Sequence, residues 1–323
     1  MEKLPRGANF LRAKALWELG LNFAGDPATP YGGNRDVCIT IGNGSGEEFR
    51  PFLRMATGSP ILAHAVAKGS LEMAFVNPSA LLTQAYRGVG LFKQPLPLRV
   101  VGVWPTLDWF VFSVKKSLGF RTLADIKKAR YPLQVSVKED PTHSTRVLTE
   151  QVLALYGFSL ADIEAWGGKL HMSGSPSDKR RMEPMHAGTL DAIFDEALII
   201  WFDEALQCDL VPLEIEPEIF ARLAALGWRR GVVPKRKFPR LAADIEAIDY
   251  SGWPLYASAA LDEATVYKLC AGFAQRADEI PWEESFTGEV SQVWRDTAAT
   301  PFDVPLHPGA ERFLRERFGY EFE

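Results

Sequence analysis

The chain has 323 residues, of which 47% are hydrophobic and 24% charged, an ordinary globular balance at a length that suggests two domains. Its formal net charge of -5 provides no general attraction to nucleic acid or to anionic membranes, so we expect no nucleic-acid partner. No apolar run approaches the roughly 20 residues of a membrane-spanning helix, so the sequence predicts a protein that does not span a membrane.

The amino-terminal residues are charged throughout, which is not the pattern of a signal peptide, because no uninterrupted apolar core follows a basic start. We therefore expect a cytoplasmic chain. Leu11, Leu16 and Leu19 recur at helical spacing and predict a short amphipathic helix that packs on the body, within an extension of residues 1–36. The cysteines match no metal-binding spacing, so free, buried thiols are expected, with one disulfide and one free thiol as the alternative. They are Cys38, Cys208 and Cys270.

Short apolar runs alternate with amphipathic stretches along the chain. Strands are predicted at residues 36–42, 72–76, 98–104, 109–114, 133–137 and 190–194. A broken helix is predicted at residues 52–70, and later helices at 217–226 and 262–277. Thr122 with Asp125, and Ser159 with Asp162, have the spacing of a capping box and predict helix starts. This alternation predicts an α/β fold with mostly parallel sheets flanked by helices.

Four strand ends carry small or polar residues, at the positions where α/β sheets hold ligands beside helix amino termini. The first is the glycine-rich loop 42–46, interpreted as a turn from a strand into a helix. The second is residues 77–79, where Pro78 fits a first helical turn, Asn77 can cap the helix and Ser79 can offer its hydroxyl. A plain helix cap without a ligand is the alternative there.

The third strand end, residues 142–146, clusters hydroxyl groups at a helix start. Arg146 beside a helix amino terminus favours a carboxylate ligand. His143 fits a ligand contact, a general base or a solvated loop residue. The fourth strand end turns through Asp195 and Glu196. No two histidines have the helical spacing of a zinc site, and we expect neither a metal nor a cofactor.

Other patterns have ordinary structural interpretations beside functional ones. Trp104, Trp109 and Trp201 fit core or hinge packing, or platforms on which a ligand ring stacks. The basic stretch 228–240 fits a solvated loop or a docking surface for an anionic partner. Residues 178–181 are interpreted as a surface turn.

Several longer stretches resemble a known family. They are GSLEMAFVNPSALLTQAYRG, LRVVGVWPTLDWFVFSVKKSLGFRTLADIKKARYPLQVSV, STRVLTEQVLALYGFSLADI and MHAGTLDAIF. In order and spacing they resemble the TAXI-type solute-binding subunits of TRAP transporters, which have the periplasmic-binding-protein type II fold. The loop GNGSGEEFRP departs from the family pattern, because it places Glu47, Glu48 and Phe49 where the family has aromatic residues.

The resemblance implies two lobes with a ligand cleft between them. It implies that residues 37–113 and 214–323 form lobe I and that residues 114–213 form lobe II. It also carries over a set of ligand-binding positions, to which the helix start adds His143. The set is Gly44, Ser45, Asn77, Ser79, His143, Ser144, Thr145, Arg146, Asp195 and Glu196.

Two functions are compatible with these residues. The first is a non-catalytic solute-binding protein that traps a small organic acid and works with membrane transporter subunits, which by resemblance makes a periplasmic location the alternative to a cytoplasmic one. The second is a cytosolic enzyme on the same fold, resembling decarboxylases or menaquinone-pathway enzymes, with His143, Asp195 or Glu196 as acid or base. The sequence favours the first, since no tight catalytic constellation is visible.

Overall fold

A computed structural model describes residues 8–25, 37–45 and 48–321 of the chain. These form two compact units: unit 1 contains the described residues up to 77 together with 95–106 and 253–321, and unit 2 contains residues 78–94 and 107–252. The helices are α1 Ala8–Gly25, α2 Leu62–Ala67, α3 Ser79–Arg87, α4 Leu123–Ala129, α5 Ser144–Tyr156, α6 Leu160–Ala165, α7 Lys179–His186, α8 Leu198–Gln207, α9 Pro217–Ala225, α10 Glu263–Gln275 and α11 Pro308–Phe318. The strands are β1 Val37–Ser45, β2 Glu48–Thr57, β3 Met73–Phe75, β4 Leu98–Trp104, β5 Trp109–Lys115, β6 Gln134–Lys138, β7 Lys169–Ser173, β8 Ala192–Asp195, β9 Leu210–Pro212, β10 Arg230–Val233, β11 Ile245–Asp249 and β12 Trp253–Ser258.

Unit 1 is built on a five-stranded sheet with the order β1-β2-β3-β12-β4. β2 and β3 are parallel, whereas β12 runs antiparallel to both of its neighbours, β3 and β4. The indole of Trp294 anchors the core of this unit. Its Nε1–H donates to the carbonyl of Val101 at 2.8 Å, and its ring packs against Phe273 and Phe313.

Unit 2 contains a seven-stranded sheet with the order β10-β11-β5-β8-β6-β7, and β9 also pairs with β5. β6 is parallel to β7 and β8, while β5 is antiparallel to β8, β9 and β11. Buried side chains that include both Trp109 and Trp201 form its core, so these two tryptophans are core residues. The cluster is Trp109, Val111, Met185, Leu190, Ile193, Leu198, Trp201, Phe202, Ala205, Leu210, Val233, Phe238, Leu241 and Ala247.

The predicted α/β class is confirmed, since the chain contains two sheets whose strands alternate with helices along the sequence. The expectation of mostly parallel sheets is wrong, because both sheets are mixed and most strand pairs are antiparallel. An apolar run shows that a strand is buried but not in which direction it runs.

The division of the chain also differs from the predicted one. The predicted boundary at residues 113–114 lies inside β5, whose partners β8, β9 and β11 all belong to unit 2.

Local signals near the amino terminus were only partly reliable. The predicted helix forms as α1, but Leu11 and Leu16 are 68% and 71% exposed, so its leucines do not pack on the body as expected. The glycine-rich loop is not a turn into a helix. Residues 42–45 are the end of β1, which pairs antiparallel with β2. β2 takes residues 52–57 of the stretch predicted as a broken helix, and the helical part of that stretch forms as α2. Arg54, in this strand, is held by the carboxylate of Glu72.

The two capping boxes are confirmed at the starts of α4 and α6. Cys270 is buried as expected, whereas Cys38 is exposed and Cys208 is partly buried. None of the helices in the described part of the chain has the length and apolarity that crossing a bilayer requires.

Close packing between α10 and α11 gives a test of unit 1. A Cβ at Gly309 would clash with the backbone oxygen of Glu263, which cannot move without disturbing α10. We expect Gly309→Ala to lower the free energy of unfolding by about 1–3 kcal/mol. At Gly272, inside α10, a Cβ meets nothing within 4 Å, so Gly272→Ala is the matched control and should raise stability by about 0.5–1 kcal/mol. Urea unfolding of both variants measures the difference. Equal effects would contradict the close approach.

Candidate functional site

One edge of the sheet in unit 2 gathers most of the polar residues singled out above. Because β5 runs antiparallel to β8 and β11, its start lies at the edge where β6, β8 and β11 end. Val111 pairs with Asp195, and Trp109 pairs with Asp249, which fixes the register at this edge. In open α/β sheets the carboxyl ends of parallel strands are where ligands bind. We therefore treat this polar edge of unit 2 as the candidate site.

The start of α5 brings three hydroxyl groups together at the polar edge. The Tyr250 hydroxyl donates to Ser144 Oγ at 2.5 Å and lies 3.2 Å from Thr145 Oγ1. All three side chains are buried. His143 caps the helix, since its Nδ1 accepts the backbone N–H of Thr145 at 3.1 Å. The predicted helix start is thus confirmed, and the structure gives His143 a capping role.

The guanidinium of Arg146 is bonded to neighbouring groups of the protein. Its Nη1 donates to the carbonyl of Lys138 at 2.9 Å, and its Nε lies 3.8 Å from the carboxylate of Glu150. Both contacts tie α5 to the end of β6 and to the next turn of the same helix. Its predicted contact with a ligand carboxylate stays a prediction, to which this geometry adds no support.

A pair of carboxyl groups joins the start of β5 to the turn after β8. Asp108 accepts the backbone N–H groups of Trp109 at 2.8 Å and of Ala197 at 3.0 Å, and its carboxyl group is hydrogen-bonded to that of Glu196. Ala197 has a φ of 54°, a left-handed conformation that costs a non-glycine residue of the order of 1 kcal/mol. The hydrogen bond that Asp108 accepts from Ala197 therefore helps to hold a turn that the backbone alone disfavours.

Burial and the charges of nearby carboxylates favour a proton in this carboxyl pair. Burial raises the pKa of Asp108 to about 6, and burial together with the charges of Asp195 and Asp108 raises the pKa of Glu196 well above its ordinary value. Lys138 acts in the opposite direction on Glu196. Burial, and then the charge of Glu196, also raises the pKa of Tyr250, which shows that the carboxyl pair and the hydroxyl cluster are neighbours.

Asp195 itself is neutralised by a residue that the sequence interpretation missed. Arg181 and Asp195 form an ion pair in which both side chains are 0% exposed. Arg181 also donates its Nε–H to Ser136 Oγ at 2.9 Å and an Nη2–H to Ser173 Oγ at 2.7 Å. The interpretation of residues 178–181 as a surface turn is therefore wrong for Arg181, whose position at the first turn of α7 points it into the sheet. Asp108 was missed as well, although a carboxylate directly before the apolar strand WFVFSV was a usable signal.

The remaining predicted residues lie elsewhere. Gly44 and Ser45 are in the hairpin of unit 1, where Gly44 pairs with Phe49 and a Cβ would meet nothing within 4 Å, so glycine is not required there. Asn77 does not cap α3 as expected, since Pro78 is the N-cap residue. Ser79 begins the helix, and its N–H donates to the carbonyl of Ser251 at 3.3 Å while its buried Oγ has no hydrogen-bond partner.

Metal binding has no support in the described part of the chain, where no group of three or more His, Cys, Asp and Glu side chains is arranged to hold an ion. The chemistry of the polar edge is instead that of hydroxyl groups and of a carboxyl pair with raised pKa values beside a helix amino terminus. Such a set binds polar groups and exchanges protons.

The chain belongs to the NMT1-like family, whose model matches residues 53–317. This family has the fold of the periplasmic solute-binding proteins of ABC transporters. The match runs from β2 to α11 and so includes the polar edge of unit 2. The finer resemblance to TAXI-type subunits of TRAP transporters stays a prediction.

Solved structures with similarity to this chain include two complexes with small ligands. Lactococcal OpuAC, in a closed conformation with glycine betaine, is 13% identical with a TM-score of 0.37, and the match covers 80% of this chain and 82% of that one. PhnD1 from Prochlorococcus marinus, in complex with methylphosphonate, is 13% identical with a TM-score of 0.37, covering 81% and 84%. At these scores the family assignment rests on the family match alone.

The buried ion pair gives a first test of the site. Removing one partner of a buried pair leaves an uncompensated charge, so Arg181→Met should lower the free energy of unfolding by about 3–5 kcal/mol. The neighbouring Arg180 also pairs with carboxylates, but its side chain is 55% exposed, so Arg180→Met should change stability little. Thermal and urea unfolding of the two variants provide the comparison. A small, equal effect in both would contradict the central role of Arg181.

The carboxyl pair gives a second test, in the pH dependence of stability. A raised pKa means that the folded chain keeps a proton that the unfolded chain releases near pH 4, so this contribution is present below about pH 4 and is lost as the pH rises through the folded pKa values. Glu196→Gln removes the group whose pKa burial and the neighbouring carboxylates raise well above its ordinary value, so the loss should shrink. The free energy of unfolding of wild type minus that of the variant should therefore fall from about pH 4 to about pH 7. Asp195, Lys138 and Tyr250 face the pair in both proteins, so the subtraction cancels their common titration. A difference that does not change with pH would contradict the shared proton.

Proposed function

We propose that this chain is the solute-binding component of a membrane transport system and that it holds a small organic acid at the polar edge of unit 2. Membership of the NMT1-like family supports the general role. The observation that carries the proposal is the buried hydroxyl cluster of Ser144, Thr145 and Tyr250 at the start of α5. A helix amino terminus carries roughly half a positive charge, and together with hydroxyl donors it favours a carboxylate.

The charges around the cluster allow an anion to approach. The acids are Asp108, Asp195 and Glu196, and the bases are Lys138 and Arg181. Burial and the neighbouring carboxylates raise the pKa of Glu196 well above its ordinary value, which reduces the negative charge that an anion meets here. A ligand carboxylate is then repelled less, and the partial positive charge of the helix amino terminus attracts it. Glu196 can also accept a hydrogen bond from a hydroxyl or amino group of the ligand.

Partners and location are further parts of the proposal. A solute-binding protein delivers its ligand to membrane transporter subunits, here of the ABC type by family or of the TRAP type by the sequence resemblance. We place the protein in the periplasm on the same grounds. Cell fractionation with a tagged chain tests the location, and recovery in the cytoplasm alone would contradict it.

The ligand class is tested by screening. Native mass spectrometry of the purified chain detects a retained small molecule, and thermal-shift measurements compare mono- and dicarboxylic acids, with and without an amino group, against their methyl esters. We expect free acids to raise the melting temperature and methyl esters to have much less effect, because the esters lack the charge that the helix amino terminus favours. Equal shifts from acids and esters would contradict the carboxylate part of the proposal.

Two serines that begin helices in unit 2 provide a matched pair of variants. Ser144→Ala removes a hydroxyl from the proposed site and should weaken binding of the best acid in the screen by about 1 kcal/mol, or roughly fivefold. Ser159 caps α6 through the N–H of Asp162, so Ser159→Ala should cost about 1 kcal/mol of stability without changing affinity. Calorimetry and thermal melts separate the two effects. If Ser144→Ala changes stability alone, the hydroxyl cluster is structural.

The carboxyl pair favours a second candidate function, acid–base catalysis. A carboxyl group with a pKa near 6 can both take and give a proton at neutral pH, as the decarboxylase-like or menaquinone-pathway-like alternative requires. Asp108 and Glu196 would be its acid and base. Prolonged incubation with the identified ligand, followed by NMR of the mixture, tests this function. Recovery of unchanged ligand from wild type excludes catalysis for that compound.

A further inference from the structure

A second edge, in unit 1, combines aromatic rings with an unused hydrogen-bond acceptor. β12 runs antiparallel to β3 and β4, so β12 starts where they end. Trp253 at the start of β12 pairs with Trp104 at the end of β4. On the other side, Val76 donates its N–H to the carbonyl of Pro254 at 3.2 Å, which brings Asn77 level with Trp253. Asn77, Trp253 and Trp104 therefore lie one after another across the edge of this sheet.

Further aromatic rings continue from Trp104. Phe75 packs edge to face with Trp104, with ring centroids 6.4 Å apart, and Trp282 also packs against Trp104, at 4.6 Å with the ring planes tilted by 36°. Trp282 stacks on Phe286 at 4.2 Å and 13°. Its indole N–H donates to the carbonyl of Ala277 at 2.6 Å, so the ring is fixed in place. We refer to Phe75, Trp104, Trp253, Trp282 and Phe286 as the aromatic edge.

The aromatic edge differs from the core of the same unit in its exposure. Trp294 and Phe313, which anchor the core, are 3% and 1% exposed. Trp253 is 36% exposed, and the other four rings are partly exposed. Burying a large aromatic side chain is favourable because it removes much apolar surface from water. These five rings are only partly buried, so a ligand that packs on them can bury more of that surface.

Asn77 adds a polar requirement to the aromatic edge. Its Oδ1 is buried and accepts no hydrogen bond. A buried acceptor without a donor costs free energy, because water no longer supplies the missing bond. A ligand that supplies an N–H or O–H donor at this point removes that cost. The edge therefore favours a flat ring that carries a donor over a purely apolar molecule.

We propose that the aromatic edge of unit 1 is a binding subsite for a planar aromatic group that bears an N–H donor, with the ring on the tryptophans and the donor on Asn77. The inference extends the proposed solute-binding function by naming a class of ligand group. It does not depend on the carboxylate subsite of unit 2, because every residue that carries it belongs to unit 1.

The test uses three uncharged probes, so that the carboxylate subsite plays no part. Benzamide has the ring and the N–H donors, cyclohexanecarboxamide keeps the amide but lacks the flat ring, and N,N-dimethylbenzamide keeps the ring but lacks the donor. Titrations followed by the indole N–H resonances in NMR spectra give both the site and the affinity. We expect benzamide to shift the resonances of Trp104, Trp253 and Trp282 and to bind about tenfold more tightly than either of the other probes.

Variants then locate the site. Trp253→Leu should weaken benzamide binding about tenfold, since Trp253 is the most exposed ring of the edge. Trp166→Leu is the matched control, because Trp166 is a partly buried tryptophan of unit 2 that stacks on Phe158, and it should leave the affinity unchanged. Asn77→Ala should reduce the affinity for benzamide to that for N,N-dimethylbenzamide. Thermal melts confirm that each variant is folded.

The possible outcomes separate this inference from the proposed function. Preference for benzamide that Trp253→Leu removes supports the subsite, whether or not the screened acids bind. Absence of benzamide binding up to its solubility limit, equal affinity for the three probes, or shifts confined to tryptophans outside the edge would overturn it. Ser144→Ala should not alter benzamide binding, and a loss there would place the probe in unit 2 and contradict the inference.

Discussion

The buried guanidinium of Arg181 is the interaction on which the polar edge of unit 2 depends. It bonds Ser136 on β6, Ser173 on β7 and Asp195 on β8, and so ties together three strands of the sheet. Moving a charge out of water costs several kcal/mol, and only a full set of partners offsets that cost. Apolar residues could fill the same volume without this cost. The chain thus keeps a buried ion pair, in spite of its desolvation cost, at the polar edge of unit 2. Such an ion pair is expected where polar groups must be held in fixed positions.

The pairing of Asp195 with Arg181 also limits the repulsion that Asp195 exerts on the two neighbouring acids. Asp108 and Glu196 lie in the same partly buried region, and a third uncompensated carboxylate would raise their repulsion further. With Asp195 paired, the remaining two can share a proton and act as a hydrogen-bonded unit that closes the left-handed turn at Ala197. The ion pair therefore limits the repulsion on the carboxyl pair, and the charge of Glu196 in turn raises the pKa of Tyr250.

Local signals predicted the helix starts well and the tertiary arrangement poorly. Thr122 and Asp125 form their capping box because both partners lie within one turn, so the sequence contains the whole interaction. The burial of Arg181 could not be predicted locally, because its partners come from three different strands that only the folded sheet brings together. The hairpin at Gly44 was misread for the same reason, since glycines mark a turn without specifying whether a strand or a helix comes after it. Of the candidate site, the hydroxyl residues at the start of α5 and the turn at Asp195 were identified in advance, whereas Asp108 and Arg181, which hold that turn, were not.

The way in which the arginines are used bears on how the proposed site would release its ligand. Arg146 and Arg181 are both bonded to protein groups, so neither is a preformed clamp for an anion. The hydroxyl cluster is already paired internally, and a ligand must exchange those bonds for its own. Each such exchange is worth about 1 kcal/mol net, against about 1.5–3 kcal/mol for a bond to a charged group. A site built from several weak hydrogen bonds binds through their combined free energy. It loses its ligand when a small change in the geometry of the edge breaks some of them. That balance suits a protein that must pass its solute on, and it suits an enzyme that needs a tightly held transition state less well.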